Sequence, residues 1–315
     1  MPDNTIAMSF SCPNYSGTLY TKSNVETPFL NAIGGALHSN TVEFVTSQDY
    51  SLEEPSQPSI SEADSAKPAA ASFITRKQET NVTQIFREAV SVTHAKLANM
   101  GTLSGINIAG QQPNPIDELQ FQKAAKMKKI ANDIEYTFIN GKFNKATSDS
   151  EANKTRGIIE AITTNAVMNA GAVDASTLRS TLNTFFKTMF DNGASPDGNT
   201  VFVNSMIAAA ITAAYTDKMQ LYPNGTTSAG AAIRGLMTDF GTVNIILART
   251  VPQNTLLCVK TQACHPVEQT TPGYGNFYYM DKSAGEGAAF KGEIFGQIGL
   301  DYGAEYLHGK LVFTE

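Results

Sequence analysis

The chain has 315 residues, 42% of them apolar and 17% charged, so it can bury a sizeable core, and it holds no apolar run long enough to span a membrane. The first residues show neither a basic segment nor an apolar one, which predicts no secretory signal, and three cysteines (Cys12, Cys258, Cys264) are too few for a disulfide framework. The net charge of −6 lies wholly within residues 1–74, which carry eight acids and two bases; a sequence-specific DNA reader would show a basic stripe instead.

Residues 1–40 are polar and interrupted, with one compact apolar stretch, Glu26-Thr-Pro-Phe-Leu-Asn-Ala-Ile-Gly34. Pro28 fixes its own backbone and biases Thr27 towards an extended form, so this part reads as an arm that ends in a short hydrophobic anchor. Val42, Phe44 and Thr46 then alternate with polar neighbours as a strand does. Residues 52–72 hold three prolines and the acids Glu53, Glu54, Glu62 and Asp64, cannot bury apolar area, and predict an exposed excursion. A second extended run follows, in which Val90 and Val92 alternate with Ser91 and Thr93. Two strands flanking an acidic tip make a long projecting hairpin, and loops of this length are usually kept for binding.

The clearest helix starts at Asn114, a good N-cap, with Pro115 in the first helical position. Asp117 and Glu118 complement its N-terminal partial charge, and Gly141 predicts a left-handed stop. Ile116, Leu119, Met127, Ile130, Ile134 and Phe138 form one apolar stripe on a helix of roughly 24 residues, or about 36 Å. Lys123, Lys126, Lys128 and Lys129 decorate its solvent side as a solvated face, a subunit contact or a non-specific DNA contact.

After a polar connection over 145–158, helices are predicted over 158–170, 176–191 (led by Asp174 or Ser176) and 204–214. Ser195-Pro-Asp-Gly198 reads as a turn. Residues 200–203, 243–247 and 255–259 read as core strands. Ile294, Ile298, Leu300 and Tyr302 alternate with polar or small residues, and Leu311-Val312-Phe313 is predicted to close the sheet. No repeat of 20 to 50 residues is present. The class is α+β with mostly antiparallel strands.

Little in the sequence points to chemistry. Cys258, Cys264 and His265 lack the second ligand pair that zinc requires, and no serine or cysteine sits in a nucleophile elbow. Gly273-Tyr-Gly275 and Gly285-Glu-Gly287 lack the setting of a phosphate loop and read as turns. Phe277-Tyr278-Tyr279 is either an exposed interaction edge or a buried strand.

The order of parts resembles the major capsid proteins of tailed bacteriophages, with the Hong Kong 97-type shell fold. Three stretches carry the likeness: ETPFLNAIG at 26–34, TRKQETNVTQIFREAVSVT at 75–93 and ELQFQKAAKMKKIANDIEYTFINGKFN at 118–144. The resemblance implies an N-terminal arm (1–40), an extended loop (41–93, acidic tip 52–72) and a peripheral domain (94–150) with a spine helix over 115–140. An axial domain (151–265) follows, and C-terminal strands (266–315) return to the peripheral domain. It also implies self-assembly as hexamers and pentamers into an icosahedral shell around a double-stranded DNA genome, with no enzymatic activity, cofactor, metal or membrane. Partners implied are neighbouring capsid subunits, portal, scaffolding and decoration or cement proteins, and packaged DNA contacted non-specifically. Assembly would take place in the host cytoplasm and the product would be the virion. Some family members carry a long cleaved scaffolding segment, whereas here 25 residues precede the anchor, so a separate scaffold is expected. Candidate inter-subunit contacts are Phe29 and Leu30 in the anchor, Glu53, Glu54, Glu62 and Asp64 at the tip, Arg76 and Lys77 on the return strand, and Lys123, Lys126 and Lys129 on the helix. The tip acids and helix lysines are expected to pair across a subunit boundary, giving register more than affinity. An encapsulin-like compartment shell is the rival within the fold; a soluble α+β enzyme with an unrecognised site is the rival outside it.

Overall fold

A computed structural model describes residues 26–52, 55–68, 73–95, 118–215, 234–283 and 287–314. The chain enters through one helical turn, α1 (Pro28–Ala32), and a short strand, β1 (Leu37–His38). β2 (Glu43–Tyr50) and β3 (Arg76–Val82) pair antiparallel from Glu43↔Val82 to Tyr50↔Arg76, and among the described strands this ribbon joins no larger sheet. At its far end lies a single turn, α2 (Glu62–Ser65), capped by the Ser61 side chain. Only Thr83 separates β3 from β4 (Gln84–Thr93), which pairs with β12 (Ala289–Asp301) along its whole length. The extended run read as one return strand is therefore two. The hairpin ends at Val82, and residues 84–93 belong to a main sheet, because the buried side chain of Asn81 binds the backbone of residues 156 and 300 at the junction.

That sheet is completed on the other edge of β12 by β10 (His265–Glu268) and β11 (Tyr278–Asp281), with β1 parallel to β10. The spine helix α3 (Glu118–Asn140) lies across β4 and β12. Ile130, Ile134 and Phe138 are buried as the stripe predicts, joined by Ile139, but Met127 leaves the stripe at 41% exposure. The expected cap at Asn114 and Pro115, together with Ile116 and Asp117, lies outside the described residues.

The second sheet runs in the order β5 (Ala166–Ala170), β13 (Gly309–Thr314), β9 (Thr255–Val259), β6 (Thr200–Val203), β8 (Gly241–Leu247) and β7 (Gly235–Thr238). Its pairs are antiparallel except β5 with β13 and β6 with β8. α5 (Ala175–Asp191), capped by Asp174, buries Leu178, Leu182, Phe185, Phe186 and Met189, and α6 (Ser205–Tyr215) buries Ile207 and Ile211. These side chains share one core with Leu256, Leu311 and Phe313 of the sheet.

Two expectations change here. The helix predicted over 158–170 stops after one turn, α4 (Ile158–Ala161), because the Glu305 carboxylate accepts the Thr163 and Thr164 N–H groups at 2.8 and 3.0 Å and turns the chain into β5. The last strand, 309–314, joins the second sheet beside β9 rather than returning with 265–301 to the spine helix.

His308 sits at this crossing and is fully buried. Its Nε2–H donates to the Tyr302 carbonyl at 2.6 Å while Nδ1 accepts the Lys260 N–H at 3.2 Å, which requires the neutral ring. Burial pushes its pKa down to about 4, the Tyr302 bond pulling the other way. The unfolded chain therefore binds more protons between pH 6.5 and 4. Stability is complete above about pH 6.5 and falls by about 3 kcal/mol as pH drops to about 4. Urea midpoints across that window should show this slope in the wild type and lack it in His308→Gln; parallel profiles would refute the assignment.

Candidate assembly surfaces

The anchor of the N-terminal arm is built into the subunit's own core. Glu135 on α3 is fully buried and accepts the backbone N–H groups of Phe29 at 2.9 Å and Leu30 at 2.8 Å, so one carboxylate holds the start of α1. Burial raises its pKa, partly offset by those two bonds. Phe29 packs edge-on against Phe202, with ring centroids 5.3 Å apart. Phe29 and Leu30 were expected at a subunit boundary; instead Phe29 is wholly enclosed by its own chain, and Leu30 packs partly buried on the same core.

The lysine face of α3 also finds partners within the chain. Lys126 meets Glu88 of β4 at 2.8 Å, Lys129 contacts the other oxygen of the same carboxylate, and Asp133 lies 4.0 Å from Lys129. Burial pushes the Glu88 carboxyl up, and the two lysines more than offset it, leaving it below its ordinary range. Lys123 stands over the Tyr279 ring, 3.8 Å from its centroid, a cation–π contact. Glu88 was not anticipated, although its position carries a signal. It shares a strand face with Phe86, Val90 and Val92, and an acid on an apolar face must have a partner.

The hairpin is different. Asp64 is engaged locally by Ser61 and by Lys67 at 2.9 Å, and Glu62 is exposed; Glu53 and Glu54 lie outside the described residues. On β3, Arg76 opposes Tyr50, while Lys77 opposes Asp49 and lies 3.7 Å from Glu79. Around these charges Tyr50, Leu52, Ile60, Ile74 and Phe73 are exposed, Phe73 at 87%. Scattered exposed apolar residues need no explanation, but a ribbon lined with them marks an interaction surface. The root of the ribbon is fixed. Lys145 reaches Glu43 at 2.6 Å, and the Phe44 ring lies where a Cβ on Gly299 would be, 2.8 Å away.

Among the described residues no three His, Cys, Asp or Glu side chains are placed to hold a metal ion, and no helix is long and apolar enough to cross a membrane. Cys258 and Cys264 are fully buried, and burial pushes the Cys258 thiol up to about 12 and that of Cys264 further still, so neither is a thiolate near neutrality.

An arm anchored on a spine helix, an extended ribbon, a sheet backed by that helix and a second α/β lobe together make the Hong Kong 97-type shell fold. The capsid asymmetric unit of cyanophage A-1(L) matches with a TM-score of 0.65 at 10% identity over 96% of each chain. The capsid structure of cyanophage P-SCSP1u matches at 0.63 and 11% identity, over 97% of this chain and 93% of that one. The holo-SrpI encapsulin complex of Synechococcus elongatus matches at 0.54 and 12% identity, over 93% and 92%. No curated protein sequence matches the chain. The profile of the SU10 major capsid protein family matches residues 2–314, and the chain belongs to that family. It is a structural, non-enzymatic subunit of a capsid shell, a component of the virion that assembles with copies of itself.

Proposed function

We propose that the chain assembles as hexamers and pentamers into an icosahedral shell around a double-stranded DNA genome, with the hairpin as the element that overlaps a neighbouring subunit. The supporting observation is the exposed apolar lining of the hairpin, which nothing described in its own chain covers. Overlapping arms add contact area without demanding one rigid interface, which suits a subunit that must sit in several lattice environments. Contact with the packaged DNA is non-specific in this reading, as the acidic net charge suggests. Portal, scaffolding and decoration proteins complete the particle, which assembles in the host cytoplasm. The encapsulin-like compartment shares the fold, and the family match over nearly the whole chain favours the phage capsid.

Electron microscopy and sedimentation of the chain expressed alone should show closed particles of uniform diameter. Replacing residues 52–74 by a short Gly-Ser linker should abolish them and leave a folded subunit by circular dichroism. Shells formed by the linker variant would refute the role of the hairpin.

A further inference from the structure

We propose that Asn192 is a site of spontaneous deamidation, a modification that changes the charge of the second lobe as the shell ages. The sequence holds three Asn-Gly pairs, Asn140-Gly141, Asn192-Gly193 and Asn224-Gly225, the last outside the described residues. A glycine after asparagine puts no side chain in the way of its own nitrogen, so that nitrogen can reach the neighbouring amide carbon. The Gly193 nitrogen bonds to Asn192 Cγ, the Cγ–Nδ2 bond breaks, and the amide leaves as ammonia with the proton from the glycine nitrogen. Water then opens the resulting five-membered imide at either carbonyl and leaves aspartate or iso-aspartate. Amide and water become acid and ammonia, with water as the co-reactant.

The two described pairs differ in what must move first. Gly141 N–H donates to the Thr137 carbonyl at 2.7 Å, and the Asn140 amide donates to the Thr250 carbonyl at 2.8 Å. The Thr155 carbonyl and the Gly157 nitrogen lie 2.7 and 3.2 Å from where a Cβ on Gly141 would be, so this peptide turns only if the buried crossing opens. Asn192, by contrast, is the exposed C-cap of α5. Gly193 has φ +85° and nothing within 4 Å of its Cβ position. The N–H groups of Gly193 and Ala194 close the last turn on the Phe190 and Met189 carbonyls at 3.0 and 2.9 Å, the glycine-capped helix end. Attack on Asn192 needs only that turn to open, and helix ends open at far lower free energy than cores.

The new charge acts through Asn165. Asn192 Nδ2 donates to Asn165 Oδ1 at 2.9 Å, and Asn165, fully buried, donates to the carbonyls of Tyr306 at 2.6 Å and His308 at 3.0 Å, just before β13. A carboxylate at 192 sets an oxygen against that Oδ1 and adds negative charge beside Asp191, at the electronegative end of α5. A subunit within a shell is not replaced, so the change accumulates with the age of the particle.

The test uses the wild-type chain, incubated at mildly alkaline pH in heavy-oxygen water, digested and read by tandem mass spectrometry. Acid carrying the heavy oxygen should build up at 192 at least about tenfold faster than at 140, because the two sites differ in the cost of opening. Equal labelling at the two positions, or none at 192, overturns the site. The consequence is read separately by urea unfolding of Asn192→Asp and Asn192→Ala. Both lose the bond to Asn165 and only the first gains a charge, so Asn192→Asp should unfold at the lower urea concentration; coincident midpoints would overturn the charge effect.

Discussion

Gly157→Ala is expected to cost the subunit about 4 kcal/mol, at the upper end of what one methyl group does to a protein. Gly157 has φ −84°, which any residue adopts, so the cost is one of space. A Cβ there would lie 2.5 Å from the Gly141 nitrogen, 2.8 Å from the Thr137 carbonyl and 2.9 Å from the Ile139 carbonyl. All three are backbone atoms at the end of the spine helix, and none can rotate away. Relief requires the chain after 156 to move off the helix, which breaks the bond from Gly157 N–H to the Gly141 carbonyl at 3.1 Å and draws Ile158 and Ile162, both fully buried, from the core. Gly35→Ala is the control: it has open space around its Cβ position and should change stability by less than about 0.5 kcal/mol. Urea unfolding of both variants measures the difference. A Gly157→Ala protein within 1 kcal/mol of wild type, on the order of an ordinary surface change, would show that the crossing is looser than described.

The same crossing shows where sequence reading reaches and where it stops. Gly141 was expected to end the helix through a left-handed backbone. It does end it, but Gly141 is not among the glycines with positive φ; a Cβ there would lie 2.4 Å from the Thr137 carbonyl of its own helix and 2.7 Å from the Thr155 carbonyl, with the Gly157 nitrogen at 3.2 Å. The location of the stop is local information, whereas part of its cause, the crossing of residues 155 and 157, is distant in sequence. α5 was legible almost residue for residue because the Asp174 cap and the spacing of Leu178, Leu182, Phe185, Phe186 and Met189 are contained in the segment itself. β5 was misread as helix because the group that terminates α4, Glu305, is distant in sequence. Likewise a buried strand at 311–313 can be recognised from its β-branched and aromatic residues, yet nothing in those residues says which of two sheets it joins. The assembly surface follows the same rule. The exposed hairpin was visible as composition that cannot bury itself, whereas the lysines of α3 looked free because Glu88 comes to them only through the pairing of β4 with β12.

Asn81→Ala should also cost about 4 kcal/mol, and its effect on assembly should exceed its effect on folding. Asn81 is fully buried at the point where ribbon becomes sheet. Its Nδ2 donates to the Leu300 carbonyl at 2.7 Å and to the Arg156 carbonyl at 3.2 Å, and its Oδ1 accepts the Arg156 N–H at 2.8 Å and the Val82 N–H at 2.9 Å. Truncation strips partners from four backbone groups in a place shielded from water, each worth about 1–3 kcal/mol when left unpaired, with local relaxation recovering part of the sum. Asn81→Asp keeps the shape and the two accepted bonds but sets a carboxylate against two carbonyl oxygens, so it should be at least as damaging at neutral pH. Gln78→Ala, exposed on the same strand, should be silent within about 0.5 kcal/mol. Because three of these four bonds join strand β3 to residues 156 and 300, they fix the angle at which the ribbon leaves the sheet. A subunit that folds with that angle free presents its tip to a neighbour in many orientations and pays the ordering entropy at each contact of the shell. Particle yield by sedimentation, measured at a temperature where Asn81→Ala remains folded, should therefore fall well below that of a core variant of similar stability, such as Leu178→Ala in the second lobe. Equal yields would mean that the ribbon takes its direction from the neighbouring subunit rather than from its own root.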